Sequence, residues 1–231
     1  MSEDQAAAAK STSQTLARGI RVLEILAETG QAMTVAAITA ELSVDRAVTY
    51  RIMRTLAAHR LVVRNRQGEF RLASGVLNLA AGVSRDLQAA AAAELVALAR
   101  ELGATAFVTI DEDGDAVCLA AVEPPRSHVH IAYRPGLRHA LRLGASGVAL
   151  LAGRPPVPGE PAKVTEARRV GYATSRGELQ PGAEAIAVPV CPQEGPAVGS
   201  VAIVALLGVL DLEQAAPRVR EAAVEIAKML G

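Results

Sequence analysis

The hydrophobic period of the chain changes near residue 60, and this change defines the architecture of its first part. From Val48 to Leu56 apolar residues recur at helical spacing, and Asp45 is suited to cap the helix that this predicts. Beyond Arg60 the stretch LVVRNRQGEFRLA holds two short β-like runs around Gln67-Gly68, which indicates a hairpin. A helix followed by a two-stranded ribbon is typical of a winged helix-turn-helix.

Two upstream segments supply the other helices of this unit. The first runs from Thr15 to Gly30, and Thr34 is suited to cap the second, whose inner face holds Ile38 and Leu42. The residues predicted to form the buried face of the first helix are Leu16, Ile20, Leu23, Leu26 and Ala27.

Positive charge is concentrated on the third helix and the hairpin, although the whole chain has a formal net charge of zero. Between residues 46 and 71 there are seven arginines and one acid, Glu69. A solvated charged face is one explanation, but these arginines share a single helix and its wing. Because arginine binds DNA phosphates and a helix fits the major groove, we favour a DNA-binding surface. Its predicted contact residues are Arg46, Thr49, Tyr50, Arg51, Arg54, Arg64 and Arg66.

The rest of the chain predicts an α+β domain with an antiparallel sheet and flanking helices. A hairpin is expected around Asp113-Gly114, further strands in HVHIAYR (128–134), EAIAVPV and VGSVAIVALLG, and short helices in GASGVALLA and KVTEARRVGYA. Asp211 is suited to cap a C-terminal helix. The predicted division is a disordered tail (1–12), a winged helix-turn-helix domain (13–73), a linker helix (74–85) and the second domain (86–231).

Composition argues against several other classes of protein. The N-terminal tail has no apolar core of the kind that a signal peptide needs, and the longest apolar run, 198–210, is too short to span a bilayer. The two cysteines form no C-x-x-C pair, which favours a reduced, cytoplasmic protein. Three tyrosines and two phenylalanines are the only aromatic residues, so the chain is poorly equipped to stack single-stranded nucleic acid.

No motif predicts a catalytic, metal or cofactor site. The segment Gly144–Gly147 is not G-x-S-x-G, and neither a P-loop nor G-x-G-x-x-G occurs. His128, His130 and His139 are too few for a convincing zinc site, and solvated histidines are favoured. Residues 144–147 are better explained as a tight helix start whose backbone N–H groups could hold a ligand carboxylate. We therefore expect a protein that is not an enzyme.

Six motifs together resemble the IclR family of bacterial transcription regulators. They are RGIRVLEILAETG, YRIMRTLAAHRLV, GEFRLASGVLNLA, GASGVALLA, RRVGYATSRGELQPGAEAIAVPV and AVGSVAIVALLG. The resemblance covers nearly everything after residue 13 and implies a winged-helix domain followed by a GAF-like domain that binds a small effector. It also implies a homodimer, or a dimer of dimers, on a palindromic operator of double-stranded DNA. The alternative is a small-molecule-binding or enzymatic domain whose N-terminal helices serve only oligomerisation.

The recognition helix departs from the family pattern at its start. The family often has Lys-Ser-Thr where this chain has Arg46-Ala47-Val48, so base contacts are expected from Arg46, Thr49 and Tyr50. Arg51 matches a near-constant arginine of the family, and the resemblance implies that it binds phosphate.

The resemblance also implies the positions of an effector site. Carried over one by one, its lining residues are Ala145, Ser146, Gly147, Ser175, Ala185, Ala202 and Val204. Family members that hold small oxo-acids often have hydroxyls at the last two positions and an acid in place of Ser175. Here each unpaired group of a polar ligand would cost about 1–3 kcal/mol, so we expect an apolar or aromatic effector with one carboxylate on the N–H groups near Ser146. The alternative is a collapsed pocket without an effector, and the sequence leaves repression and activation equally open.

Overall fold

The structure, a computed structural model, describes residues 13–125, 130–193 and 195–231 of the 231-residue chain. The predicted disordered tail, His128 and the start of the strand predicted at 128–134 lie outside the described residues. The chain divides into two compact units, residues 1–83 and 84–231, and each is described by itself.

The first unit is a helix-turn-helix followed by a two-stranded wing. Its elements are α1 (Gln14–Thr29), α2 (Val35–Leu42), α3 (Arg46–Ala58), β1 (Val62–Arg64), β2 (Phe70–Leu72) and α4 (Gly75–Ala80). The Ser13 hydroxyl caps α1 and the Thr34 hydroxyl caps α2, each by accepting a backbone N–H bond in the first turn. Asp45 stands at the N-cap of α3 as predicted, but its side chain makes no capping bond.

The buried face of α1 differs from the predicted one. Gly19, Val22, Ile25 and Leu26 are buried, whereas the side chain of Leu16 is 64% exposed and that of Ile20 is 49% exposed. The helix carries two neighbouring apolar stripes, and packing against α2 and α3 selects the stripe that contains Gly19. A Cβ atom at Gly19 would lie 3.9 Å from Ile52 on α3, an ordinary packing distance, so this position faces α3 across the buried stripe.

The second unit confirms the predicted α+β class. Its elements are α5 (Arg85–Leu102), β3 (Thr105–Glu112), β4 (Asp115–Val122), β5 (Arg138–Ala140), α6 (Gly144–Ala152), α7 (Ala162–Val170), β6 (Ala173–Arg176), β7 (Ala183–Val190), β8 (Gly199–Leu206) and α8 (Leu212–Met229). The strands form one antiparallel sheet in the order β5-β4-β3-β8-β7-β6. Asp211 caps α8 as predicted, since its carboxylate accepts the N–H groups of Glu213 and Gln214.

The two faces of this sheet carry side chains of different size. One face packs Val108, Ile186 and Ile203 against α5 and α8. The other face, toward α6 and α7, is built largely from alanines on β7 and β8, together with Phe107 and Val204. Because side chains alternate between faces along a strand, the large residues collect on one side and the small ones on the other. The small-residue face leaves space beneath α6.

One strand prediction was wrong. Residues 130–134 are not in a strand; the sheet edge beside β4 is instead β5, which pairs Arg138 with Val117. Ile131 and Tyr133 are buried on the small-residue face of the sheet, and the Thr105 hydroxyl donates to the Ile131 carbonyl over 2.6 Å. The hydrogen bond from the Thr105 side chain thus holds this segment against the sheet, although the segment, in the residues that the structure describes, makes no backbone hydrogen bonds of a β-strand. Within the described residues, no helix is both long and apolar enough to cross a membrane.

Candidate DNA-binding surface and ligand cavity

Helix α3 presents a basic face that its packing leaves exposed. Thr49, Ile52, Met53 and Leu56 are buried in the first unit and Val48 is half-buried, whereas the other positions of the helix are exposed. The Arg46 guanidinium lies 5.5 Å from the centre of the Tyr50 ring and donates to the Tyr50 hydroxyl over 3.3 Å. These two side chains, one turn apart, form an ordered polar pair at the start of the helix. Arg51 and Arg54 are also exposed.

Thr49 does not lie on this exposed face, so the prediction that it contacts bases is wrong. Its side chain is fully buried, and its hydroxyl lies 3.0 Å from that of Thr39 on α2. The helical period explains the result, because positions 49, 52, 53 and 56 fall on one face. The Thr49 hydroxyl therefore makes a hydrogen bond between α3 and α2 instead of facing DNA.

Replacing Thr49 by valine should lower the free energy of unfolding by about 1 kcal/mol and leave the preferred DNA sequence unchanged, because the Thr39 hydroxyl loses a buried partner. Urea unfolding and selection of binding sites from random DNA would measure the two effects. Thr55→Val on the exposed side of α3 is the matched control and should change stability less. A relaxed base preference at unchanged stability in Thr49→Val would contradict this assignment.

The two arginines of the wing, Arg64 and Arg66, lie on a hairpin whose turn is closed by several hydrogen bonds. The backbones of Asn65 and Glu69 bond across the turn over 2.8 Å, and the Asn65 side chain contacts both the N–H and the carboxylate of Glu69. The Arg64 side chain folds along the hairpin, donating to the Gly68 carbonyl over 3.2 Å and lying 5.9 Å from the Phe70 ring centre. Arg66 is exposed at the turn. Both arginines stand on a short, well-bonded ribbon.

The charge on this surface is not neutralised within the protein. Within the described residues, no arginine between positions 46 and 71 forms an ion pair with a carboxylate, whereas Arg154, Arg168 and Arg218 of the second unit all do. Unpaired guanidinium groups on one helix and its wing are available for phosphate oxygens. This difference supports the DNA-binding interpretation over a solvated charged face.

A cavity of about 250 Å³ lies in the second unit between the small-residue face of the sheet and α6. Of the seven residues predicted to line an effector site, five line this cavity: Ala145, Ser146, Ser175, Ala185 and Val204. Gly147 and Ala202 do not line it. A Cβ atom at Gly147 would lie 2.4 Å from the Leu141 carbonyl oxygen, so that face of α6 is packed against backbone. Ala202 is fully buried between its cross-strand neighbours Phe107 and Ala187.

Sequence reasoning missed the aromatic wall of the cavity. Phe107 and Tyr133 stack with their ring centres 4.0 Å apart and their planes 25° apart, and both rings line the cavity. The Tyr133 hydroxyl is buried and makes no hydrogen bond of ordinary geometry, and the Ser146 side chain is close enough to act on it only as a weak hydrogen-bond partner. Burial raises the pKa of Tyr133 above its usual range, so the phenol stays protonated. The signal that could have found this wall is the scarcity of aromatic residues, because a chain with only five of them makes each one a candidate for a specific role.

A histidine lies beside this wall. His139 Nε2 is 3.2 Å from the Ser146 hydroxyl, and its Nδ1 is 3.2 Å from the Ala140 carbonyl oxygen. Since a carbonyl can only accept, Nδ1 carries the proton and Nε2 accepts from Ser146. Burial lowers the pKa of His139, which keeps the ring neutral at physiological pH. Among the residues described, no group of three or more His, Cys, Asp or Glu side chains could hold a metal ion.

The first two backbone N–H groups of α6 are already bonded. That of Gly144 donates to the Glu178 carboxylate over 3.0 Å, and that of Ala145 donates to the Ser175 hydroxyl over 3.1 Å. Burial alone would raise the pKa of Glu178, but Lys163 at 2.7 Å and the Gly144 N–H outweigh it and lower that pKa. The N–H groups of Gly144 and Ala145 are thus occupied by side chains of the protein itself, and a ligand carboxylate on the N–H groups near Ser146 stays a prediction.

The fold and the two sites define a class of protein: a winged helix-turn-helix DNA-binding unit followed by an α+β unit with a partly open cavity. A sequence model of the IclR helix-turn-helix domain matches residues 15–66. An IclR transcriptional regulator from Alicyclobacillus acidocaldarius is 26% identical, with a TM-score of 0.76 over 95% of this chain and 100% of that one. The chain therefore contains an IclR helix-turn-helix domain, shares its fold over nearly its whole length with an IclR transcriptional regulator, and is a DNA-binding transcriptional regulator.

Two further solved structures share the fold at lower identity. The Thermotoga maritima IclR is 21% identical, with a TM-score of 0.80 over 94% of this chain and 98% of that one. An IclR homolog from Microbacterium hydrocarbonoxydans, solved with 4-hydroxybenzoate, is 22% identical, with a TM-score of 0.79 over 94% of this chain and 99% of that one. A search of curated proteins finds no match.

Proposed function

We propose that DNA binding by this regulator is controlled by an apolar or aromatic small molecule in the cavity of the second unit. The observation that carries the proposal is the Phe107–Tyr133 stack, which forms one wall of a largely apolar cavity of about 250 Å³. An apolar cavity of about 150 Å³ is large enough for benzene, so this one can take a ring with small substituents. The 4-hydroxybenzoate in the Microbacterium hydrocarbonoxydans homolog supports the same class of ligand.

The DNA contacts are proposed from the exposed basic groups. Arg51, with Arg54, would bind phosphates, and the paired Arg46 and Tyr50 would reach base edges in the major groove. Arg64 and Arg66 would hold the backbone beside the groove through the wing. A retardation assay with the DNA upstream of the protein's own gene tests this assignment, since Arg51→Ala should strongly weaken specific binding.

A homodimer on a palindromic operator fits the exposed apolar residues of the first unit. Leu77 and Leu79 on α4 are 70% and 65% exposed, and Leu16 and Ile20 on α1 are left outside the buried stripe. Two half-sites require two recognition helices, and a second copy of the chain would cover these side chains. Association of two dimers is a further possibility for the same assembly, and the cytoplasm is where such a regulator would meet its operator.

We expect sedimentation at micromolar concentration to give at least twice the 23.9 kDa of one chain. Leu77→Glu combined with Leu79→Glu should shift the protein toward monomer, because charges would replace the proposed apolar contact. Val157→Glu, at a comparably exposed position of the second unit, is the control and should leave the mass unchanged. A wild-type monomer under these conditions would count against the dimer.

Thermal-shift screening tests the effector. A bound ligand at a hundredfold excess over its dissociation constant stabilises the protein by about 2.7 kcal/mol. Simple aromatic compounds should raise the melting temperature, and glyoxylate or pyruvate should not. A ligand that stabilises the protein should also change its retardation of operator DNA and be recovered chemically unchanged, which separates a regulator from an enzyme. No response to a broad aromatic library would favour a cavity that is collapsed in solution.

A further inference from the structure

We propose that the cavity selects aromatic ligands with an uncharged oxygen substituent and excludes aromatic carboxylates, because Glu178 occupies the position of a ligand carboxylate. This inference rests on the proposed effector site and narrows its ligand class. It is carried by three observations: a carboxylate of the chain bound at the start of α6, the absence of an unpaired cation among the described lining residues, and a buried tyrosine hydroxyl that makes no hydrogen bond of ordinary geometry.

The Glu178 carboxylate occupies the anion-binding position at the first N–H group of α6, and Glu178 lines the cavity. A helix N-terminus attracts anions through its free N–H groups and its dipole, and here the first N–H group donates to Glu178 over 3.0 Å. Lys163 binds the same carboxylate oxygen over 2.7 Å, so the negative charge is held from two sides. A ligand carboxylate would have to displace this ion pair or lie close to a like charge.

The cationic group that lines the cavity is already paired with carboxylates of the protein. Arg138 lines it but pairs with Glu112 and with Asp115, the latter over 3.7 Å. A second acid, Glu184, also lines the cavity; it is buried, accepts the Gly208 N–H over 2.8 Å and pairs with Arg176 over 3.4 Å. His139 is neutral. The lining therefore presents two carboxylates and, among the described residues, no unpaired cation.

The polar group that does need a partner is the Tyr133 hydroxyl. The residue is 8% exposed, its hydroxyl makes no hydrogen bond of ordinary geometry beyond a weak interaction with Ser146, and its ring lines the cavity beside Ser146 and His139. A protonated phenol can donate to a ligand carbonyl or hydroxyl oxygen, and the Ser146–His139 pair can exchange hydrogen bonds with the same substituent. Leaving such a buried group unpaired is unfavourable, so a ligand that pairs it gains affinity. An uncharged oxygen substituent on a ring meets this need without adding charge.

The test uses two probes of nearly the same shape, 4-hydroxybenzamide and 4-hydroxybenzoate, and titration calorimetry on the full chain. We expect the amide to bind and the benzoate to bind on the order of a hundredfold more weakly, as like charges in a partly enclosed site repel strongly. Glu178→Gln removes the resident charge and should raise benzoate affinity about tenfold or more, with the affinity for the amide nearly unchanged. Glu166→Gln, on the exposed side of α7, is the matched control and should alter neither affinity.

Tyr133→Phe adds an independent measurement, since it removes only the hydroxyl. The affinity for the amide should fall about three- to tenfold, as expected for the loss of one neutral hydrogen bond. A cooperative unfolding transition of the second unit close to that of the wild-type protein shows that each variant is folded. Equal affinity of the wild-type protein for both probes, unaffected by Glu178→Gln, would overturn this inference and leave the effector proposal intact. If neither probe nor any aromatic compound bound, both proposals would fail.

Discussion

Affinity of this regulator for its DNA should fall about a thousandfold or more when salt is raised from about 50 to 200 mM. The reason is that the proposed contacts are made by arginines whose charge is not neutralised within the protein, so phosphates supply the missing partners. A dimer that neutralises about six to ten phosphates releases as many counterions, and salt opposes that release. Retardation or fluorescence anisotropy over a salt series would give the slope.

Arginine-to-alanine variants identify which side chains produce the salt dependence of the DNA affinity. Arg51→Ala should reduce both the affinity and the salt dependence, and so should Arg64→Ala combined with Arg66→Ala in the wing. Arg169→Ala removes the same charge from an exposed position of α7 in the second unit and is the matched control, expected to leave the slope unchanged. A slope near zero for the intact protein would exclude phosphate contacts as the main source of affinity.

Replacing Ile203 by alanine should lower the stability of the second unit by about 2–5 kcal/mol. Ile203 is fully buried in the middle of β8, between Ala106 and Ile186 on the neighbouring strands, and its side chain belongs to the core under α5 and α8. Removing it leaves a cavity that the close-packed sheet can only partly fill. For a unit of about 150 residues, the melting temperature should drop by roughly 2–4 °C per kcal/mol.

Leu207→Ala is the control for this prediction, because Leu207 directly follows β8 and its side chain is 55% exposed. Its melting temperature should stay near that of the wild-type protein, as surface substitutions usually change stability by less than about 0.5 kcal/mol. Calorimetry, or hydrogen exchange read separately for the two units, would measure both variants. Equal small shifts for Ile203→Ala and Leu207→Ala would mean that the second unit is not packed as described.

The candidate sites were predicted unequally well. Arg46, Tyr50, Arg51 and Arg54 are exposed as predicted, because charged side chains on an amphipathic helix must lie away from its apolar stripe. Thr49 was misplaced because a threonine is compatible with either face. In the cavity, the family resemblance located five lining residues, but it identified neither Tyr133 nor the role of Glu178.

The sequence by itself determined the local structure of this protein: the caps at Thr34 and Asp211, the wing, and the alternation that puts small residues on one face of β8. These features depend on residues a few positions apart, whose spacing can be read directly. Only the tertiary structure decided which stripe of α1 is buried and that Glu178, 34 positions from Gly144, binds the start of α6. Such contacts join distant segments, and their energies depend on packing that no local pattern contains.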